Sequence, residues 1–226
     1  MCGRFVAASD GDGLMRFFVI DDRVADELPP SWNVAPTATV HAVVEHAGRR
    51  LLTAFRWGLV PAWADDPRVG SRMINARAET LAERPAYREA FARRRCLIPA
   101  DGFYEWQRSE DGRRQPFLAR QRDGNPLALA GLWAVWQPQP DGERLLTCTI
   151  VTTRANADVA HLHDRMPVVL PADRWDRWLD RSTRDTEGLR ALLDPPEPGL
   201  LALRPVGQAV NDVRNDFPAL VAAVDC

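Results

Sequence analysis

Short strand-like segments, separated by turn-forming residues, dominate the first two thirds of this chain. Apolar and β-branched residues concentrate at residues 37–44, 50–57, 96–98, 103–106, 116–119, 127–136 and 145–153. Asp-Gly pairs at residues 111–112, 123–124 and 141–142 fit turns between paired strands. The first two segments predict a hairpin around residues 46–48. Because these strands follow one another instead of alternating with helices, the pattern favours an α+β fold with a curved or barrel-like, mostly antiparallel sheet.

Helical patterns are fewer and lie at residues 78–83, 85–94, 172–179 and 186–193. They predict peripheral helices around the sheet. The 226 residues contain no repeat and no low-complexity linker, so residues 1–226 are expected to form a single domain. No apolar run approaches the ~20 residues of a membrane span, and no secretory signal is visible. We therefore expect a cytoplasmic protein with no membrane partner, and we expect it to be a monomer.

The basic side chains of this protein are all arginine. The chain has 29 basic and 31 acidic residues, a formal net charge of −2, and no lysine. This balance excludes a strongly basic nucleic-acid binder, although residues 84–122 carry ten Arg against five acidic residues. The net charge therefore does not exclude a local basic site. Without lysine, the only amine that can form a Schiff base is the amino terminus of the chain.

The cysteine and histidine spacing does not favour a metal site. Cys2, Cys96, Cys148 and Cys226 include no pair with CxxC spacing, so structural zinc is not predicted. Disulfides are not expected in a reducing compartment. His161-x-His163 could offer two ligands, but the spacing supplies no third one. We predict neither metal nor cofactor.

Cys2 is the residue with the most distinctive chemistry. A cysteine at this position is commonly a small apolar residue that happens to follow the initiator. Removal of Met1, however, would leave a cysteine with a free α-amine and a thiol, followed by Gly3, which permits close approach of a ligand. The amine has a pKa near ~7.7–8.0, so part of it is neutral and can attack an aldehyde. The thiol can then close a five-membered thiazolidine ring. The same cysteine could instead act as a hydrolytic nucleophile.

Three further segments combine polar groups that could assist such chemistry. Residues 75–80 are typical of a polar helix start, yet Asn75 could orient a substrate oxygen and Arg77 could hold a phosphate. Glu105 lies in an aromatic strand, where alternation places it on the face opposite Tyr104 and Trp106. The ordinary interpretation is an exposed Glu. The functional interpretation is a desolvated carboxyl that transfers protons. His163, beside Asp164, is a candidate acid or base.

A segment rich in tryptophan, residues 57–63, combines Trp57 and Trp63 with Gly58 and Pro61 in a loop-like context. Tryptophan in such a segment is more often part of the core. An exposed aromatic ring there could stack or wedge against nucleic-acid bases. The sequence has no phosphate-binding loop, dinucleotide-binding fingerprint or HExxH motif.

Seven motifs together resemble the SRAP family, the SOS-response-associated peptidases. They are Met-Cys-Gly-Arg-Phe (1–5), Trp-Asn-Val-Ala-Pro-Thr (32–37), Arg-Trp-Gly-Leu-Val-Pro-Ala-Trp (56–63), Met-Ile-Asn-Ala-Arg-Ala-Glu-Thr (73–80), Cys-Leu-Ile-Pro-Ala (96–100), Gly-Phe-Tyr-Glu-Trp (102–106) and His-Asp-Arg-Met-Pro (163–167). They follow the family order and span residues 2 to about 170. The resemblance implies a protein that crosslinks covalently to abasic sites in single-stranded DNA, with a self-processing peptidase activity that removes Met1.

The resemblance also assigns roles to four catalytic residues. Cys2 matches the residue that forms a thiazolidine with the ring-opened sugar aldehyde. Glu105 matches an acidic residue that moves protons and supports removal of Met1. His163 matches the histidine that assists ring opening and imine formation, and Asn75 matches an amide close to the cysteine.

A second set of matching residues corresponds to DNA contacts in the family. The family positions that contact phosphates are matched in this chain by Arg4, Arg77 and Arg165. The family positions that line the strand path or wedge at the lesion are matched in this chain by Asn33, Pro36 and Trp63. Some relatives carry a second aromatic residue directly after the last of these positions, where this chain has Ala64. The resemblance therefore implies a partner, single-stranded DNA containing abasic sites, and a weaker stacking wedge. It also implies that the protein is associated with the nucleoid during DNA damage.

Two other functions fit part of the pattern. Class II glutamine amidotransferases also begin Met-Cys-Gly and use a bared cysteine, but their Gly-Pro-Asp and Asn-Gly-Glu segments do not occur here. An N-terminal-nucleophile amidohydrolase would form a thioester with its substrate, which separates it from a stable DNA adduct. A passive single-strand DNA-binding module would not need Cys2.

Overall fold

Two β-sheets, joined by one apolar core, form the framework of the protein. The computed structural model describes residues 2–108, 112, 114–139, 141–183 and 185–224. The strands are β1 (Phe5–Ala7), β2 (Asp22–Arg23), β3 (Ser31–Val34), β4 (Thr39–His46), β5 (Arg49–Trp57), β6 (Asn75–Arg77), β7 (Arg95–Ala100), β8 (Gly102–Arg108), β9 (Arg114–Gln121), β10 (Leu127–Trp136), β11 (Leu145–Arg154), β12 (Arg165–Pro167) and β13 (Leu201–Pro205).

The helices are short and lie around these sheets. The α-helices are α1 (Gly11–Phe17), α2 (Pro85–Arg93), α3 (Trp175–Leu179) and α4 (Thr186–Arg190). The 3₁₀ turns are Pro67–Arg72, Ala78–Thr80, Ala172–Arg174, Ala191–Leu193, Gln208–Asn211 and Pro218–Val221. Among the described residues, no helix is long and apolar enough to cross a membrane.

The first sheet is antiparallel throughout and has the order β13-β9-β8-β1-β3. The second has the order β12-β11-β10-β7-β4-β5-β2, and β6 pairs in parallel with β11. Strands β5 and β11 also pair, through two residue pairs only. The second sheet is therefore strongly curled rather than a regular closed barrel, and the prediction of a curved, mostly antiparallel α+β fold is confirmed.

The core has two main layers because side chains alternate along the central strands. In β7, Cys96 and Ile98 point into the cluster between the two sheets, which also holds Phe5 and Phe103. Leu97 points the other way, into the cluster beneath the helices, where Trp178 lies fully buried. Strand β7 is thus buried on both faces, as is typical of a central strand.

Several predicted elements are present with shifted ends. All seven predicted strand segments are strands, and β4 and β5 form the predicted hairpin with a register from Thr39↔Arg56 to His46↔Arg49. Gly124 closes a turn with Gln121 and has φ of 83°, as the Asp-Gly pair predicts. The pair at 111–112 is only partly covered, because Asp111 lies outside the described residues.

The predicted helix at residues 78–83 is wrong. Only Ala78–Thr80 form a 3₁₀ turn, and the preceding Asn75–Arg77, interpreted as a possible helix start, is strand β6. The physical reason is tertiary: the backbone of β6 pairs with β11, with Asn75 opposite Ile150. A three-residue strand has no periodicity of its own that sequence inspection could detect.

Candidate active site and nucleic-acid interface

The beginning of the chain lies at the centre of the first sheet. Strand β1 is flanked by β3 and β8, with Phe5 opposite Phe103, and the Tyr104 N–H donates to the Arg4 carbonyl at 3.0 Å. Before Phe5 the chain leaves the ladder, and Cys2 joins the apolar cluster between the sheets, with no exposed surface. Its Sγ lies 3.9 Å from the Arg4 carbonyl oxygen. The register therefore directs the second residue of the chain toward the part of β8 that carries Glu105.

Asn75 holds the backbone of Cys2. Its Nδ2 donates to the Cys2 carbonyl oxygen at 2.8 Å. Its Oδ1 is buried and has no hydrogen-bond partner within the described part of the chain. Because Asn75 lies on strand β6, which pairs with β11, rather than on the predicted helix start, its side chain can reach Cys2. The amide oxygen can thus accept a hydrogen bond from a donor near Cys2.

Glu105 lies in a desolvated environment, which is the second of the two interpretations that its sequence context allows. It is only 4% exposed, and the alternation of β8 separates it from Tyr104, which belongs to a different apolar cluster. Burial raises the pKa of the Glu105 carboxyl, and the positive charge that His163 can carry opposes this shift. Burial also raises the pKa of the Cys2 thiol, and the charge of Glu105 raises it further. Cys2, Glu105 and His163 therefore form one electrostatically coupled group.

His163 has two neighbours that suit its two protonation states. The Arg165 backbone N–H donates to His163 Nδ1 at 2.9 Å, and the Asp164 carboxylate lies 2.7 Å from the same nitrogen. One nitrogen cannot accept from the N–H and donate to the carboxylate at once. When Nδ1 accepts from Arg165, the neutral ring carries its proton on Nε2, whereas a ring with a proton on Nδ1 pairs with Asp164. The neighbour that Nδ1 contacts therefore determines which ring nitrogen carries the proton.

Arg165 is engaged by protein groups rather than free at the surface. Its guanidinium donates to both carboxylate oxygens of Glu79, at 2.7 and 3.0 Å, and to the Thr152 carbonyl at 2.6 Å. The side chain is 15% exposed. The hydrogen bond from Arg165 lowers the pKa of Glu79. Sequence inspection missed Glu79, although it stands within one of the seven motifs.

Arg4 and Asn33 are also bound within the protein. Arg4 donates to Asn33 Oδ1 at 2.7 Å and to the Val210 carbonyl at 3.0 Å. Asn33 is 3% exposed, and its Nδ2 donates to the carbonyls of Val210, Asp212 and Asn215. Both side chains fix the C-terminal segment against β3. Direct contact of Asn33 with DNA stays a prediction that would require this network to open.

The remaining predicted DNA contacts are accessible to different degrees. Trp63 is 66% exposed, whereas Trp57 is fully buried in the core. Arg77 is exposed, and its guanidinium forms no hydrogen bond or ion pair with any residue that the structure describes. Pro36 is half-buried and precedes Thr37, whose φ is 76°. Of the six predicted contacts, Trp63 and Arg77 thus have side chains ready to meet a ligand.

The arginine-rich segment at residues 84–122 is not exposed throughout. Arg95, one of its ten arginines, is 1% exposed. It donates to the carbonyls of Trp178 and Phe91 at 2.6 and 2.7 Å. Arg95 therefore cannot contribute to a basic surface, because β7 runs through the core and carries it inward.

The pair of histidines does not form a metal site with other residues. His161 is exposed, and in the described ranges no group of three or more His, Cys, Asp or Glu side chains could hold a metal ion. Cys2, Cys96 and Cys148 are free and buried. Cys226 and Met1 lie outside the described residues.

Comparisons with known proteins identify the family and relatives of this chain. A family model described as SOS response associated peptidase (SRAP) matches residues 1–213. Abasic site processing protein YoqW of Bacillus subtilis (strain 168) is 39% identical over 222 residues, which cover 98% of this chain and 99% of that protein. Abasic site processing protein HMCES of Gallus gallus is 30% identical over 265 residues, covering 100% of this chain and 78% of that protein.

Solved structures share the fold. A crystal structure of a protein from Bacteroides thetaiotaomicron has a TM-score of 0.84 at 22% identity, covering 99% of this chain and 100% of that one. A protein from Bordetella bronchiseptica has a TM-score of 0.76 at 26% identity, covering 91% and 100%. At 22% identity, the similarity to the Bacteroides thetaiotaomicron protein supports the fold alone.

Proposed function

Because this chain belongs to the SRAP family, we propose that it binds single-stranded DNA and crosslinks covalently to abasic sites through Cys2, after removal of Met1. Relatives from a bacterium and a vertebrate carry the name abasic site processing protein. The observation that carries the proposal is the hydrogen bond from Asn75 to the Cys2 carbonyl, beside the buried carboxyl of Glu105. The adduct would shield the lesion from further damage.

The proposed reaction joins the open-chain sugar aldehyde to both functional groups of an N-terminal Cys2. The neutral α-amine adds to the aldehyde carbon, and the carbinolamine loses water to form an imine. The thiol then adds to the imine carbon, its proton goes to the nitrogen, and a thiazolidine ring closes. The net reaction consumes one aldehyde, one amine and one thiol and releases one water. No oxidant, metal or cofactor is needed.

Glu105 and His163 are suited to different proton transfers in this sequence. A carboxyl whose pKa is raised by burial can protonate the departing carbinolamine hydroxyl and then accept the thiol proton. His163 Nε2–H, fixed by the bond that Nδ1 accepts from Arg165, can assist opening of the sugar ring. We assign the opening of the sugar ring, which comes first, to His163. We assign the later loss of water to Glu105.

Removal of Met1 requires hydrolysis of the peptide bond before Cys2. The Cys2 thiol is buried and its pKa is raised, so it needs a base to become a nucleophile. Glu105 is the carboxylate whose charge acts on that thiol. We therefore propose that Glu105 supports this self-processing step as well, which is the only peptidase activity that the account requires.

Strand binding in this account uses the accessible side chains first. Arg77 can meet a phosphate without breaking an internal bond, and Trp63 offers an aromatic surface of the kind on which bases stack. Arg4 and Arg165 are held by Asn33 and Glu79 and would contribute from the edge of the site. Ala64, in place of a second aromatic residue, leaves Trp63 as a single wedge.

The proposal is tested by mixing the protein with single-stranded DNA that carries one abasic site and with the same DNA lacking it. A heat-stable adduct is expected with the abasic strand only. Cys2→Ser keeps the amine, so it is expected to give an adduct only when borohydride reduces the imine. A stable adduct formed by Cys2→Ala would contradict the thiazolidine. Hydrolysis of glutamine by the wild type, without an adduct, would favour the amidohydrolase.

A further inference from the structure

We infer that Glu79 is a positioning residue for the crosslinking reaction: it clamps Arg165, whose backbone N–H in turn holds His163 in its working tautomer, and it thereby withholds a positive charge from the DNA. The inference rests on the proposed function, and it concerns a residue that touches neither Cys2 nor the aldehyde. Glu79 follows β6 and Arg165 begins β12, so the contact joins the two strands that flank the end of β11.

The clamp is geometrically well defined. Both carboxylate oxygens of Glu79 accept from the guanidinium, in the parallel arrangement that makes Arg–carboxylate pairs strong and directional. The Thr152 carbonyl accepts a third hydrogen bond at 2.6 Å. Arg165 is also the first residue of β12, opposite Arg154 of β11. The side-chain contacts therefore add to the strand pairing that holds the Arg165 backbone N–H in place.

The consequence for His163 follows from one hydrogen bond. The Arg165 N–H reaches Nδ1 at 2.9 Å, while the Asp164 carboxylate competes for the same nitrogen from 2.7 Å. If Arg165 moves, the ring loses its acceptor role and pairs with Asp164 instead, which places the proton on the wrong nitrogen. A rigid Arg165 therefore keeps a proton on Nε2, where the substrate can receive it.

The clamp has an electrostatic cost for DNA binding. Three of the five guanidinium hydrogens are committed to Glu79 and Thr152, and the Arg165 Nε is buried without a partner among the described atoms. The Glu79 carboxylate is about half exposed and repels an approaching phosphate. Glu79 therefore accelerates the chemical step but weakens strand binding.

The test is Glu79→Gln, measured in single-turnover crosslinking over a range of concentrations of abasic single-stranded DNA. The maximal rate is expected to fall about tenfold, as for a slightly misplaced catalytic group. The half-saturating DNA concentration is expected to fall, and the salt slope of non-covalent binding to steepen by about 0.7, because one more phosphate contact forms. A variant that is merely destabilised would lose rate and affinity together.

Two further variants complete the test. Glu79→Asp keeps the charge but shortens the arm, so it is expected to bind DNA like the wild type and to react at an intermediate rate. Glu83→Gln is the matched control: its carboxylate is 70% exposed and pairs with Arg190 at 3.5 Å, and both parameters should stay within about twofold of the wild type. A maximal rate unchanged in Glu79→Gln, or a weakened affinity, would overturn the inference. Absence of any adduct in the wild type would instead overturn the proposed function.

Discussion

The side-chain amide of Asn75 donates to the carbonyl oxygen of Cys2 at 2.8 Å and so ties the start of the chain to strand β6. This contact joins residues that are 73 positions apart. It exists only because Asn75 lies on a strand that pairs with β11 rather than on a helix. The position of the reactive terminus is therefore a property of the assembled sheets.

Replacement of the buried carboxyl is expected to change how stability depends on pH. Burial raises the folded-state pKa of Glu105, so the folded protein favours the protonated form. Stability from this group is complete below the unfolded pKa of ~4.3 and is lost as the pH rises through the folded value. Glu105→Gln cannot ionise. At pH 8 its melting temperature should exceed that of the wild type, by about 2–4 °C for each kcal/mol of added stability. Near pH 4 the two melting temperatures should converge.

The control for this pH series is Glu187→Gln, whose carboxylate is 86% exposed on α4. Its melting temperature should follow the wild type across the series. In the same preparations, Glu105→Gln should crosslink slowly and retain Met1 in part of the molecules. An equal pH dependence of stability in Glu105→Gln and wild type would show that the carboxyl is not desolvated.

The two histidines of residues 161–163 are expected to behave differently. His163→Ala should slow adduct formation by about 10²-fold, the range of a lost general acid or base, without changing the final yield, because the thiazolidine itself is unaffected. His161 is exposed and outside the matched motif, so His161→Ala should react like the wild type. Single-turnover kinetics decide between them. Equal damage by both substitutions would mean that the histidines share one role.

Arg77 provides the clearest test of a phosphate contact. It is exposed, and no hydrogen bond or ion pair to another described residue would be lost with it. Arg77→Ala should therefore weaken binding to single strands of any sequence and reduce the salt slope by about 0.7, with an unchanged melting temperature. An unchanged slope would exclude the contact.

Asn33 is expected to act mainly on stability. Asn33→Ala leaves the Arg4 guanidinium and three carbonyl groups without their amide partner, which should cost about 2–4 kcal/mol. Asn125→Ala, at an exposed turn where the amide contacts only Asp123, is the control and should change stability little. A loss of DNA affinity in Asn33→Ala with an unchanged melting temperature would instead indicate direct contact with the strand.

The longer strands could be predicted because each of them carries its own pattern. Strands β4, β5, β10 and β11 have eight to ten residues, enough for apolar residues and turn signals to define them. Strand β6 has three residues, and its partner is β11. Local sequence contains no signal of that pairing, so the helix predicted at residues 78–83 is shortened to a 3₁₀ turn that follows β6.

The site shows the same division between local chemistry and distant partners. Cys2, Glu105 and His163 are recognisable from residue type and neighbours, since thiol, carboxyl and imidazole chemistry is local. The Arg165–Glu79 pair joins residues 86 positions apart, and Asn33 bonds to carbonyls about 180 residues later in the chain. The resemblance implies DNA contacts for Arg4, Asn33 and Arg165, but it contains no signal of the internal hydrogen bonds that these side chains form in the fold.

The central claim is that an N-terminal Cys2 captures the aldehyde of an abasic site, and intact mass spectrometry tests it most directly. The free protein is expected to have the mass of the chain without Met1. After reaction with abasic single-stranded DNA, it should gain the mass of the DNA minus one water, and Cys2→Ala should gain nothing that survives heating. A protein that retains Met1 and still forms the full adduct, or an equal adduct with Cys2→Ala, would contradict the account.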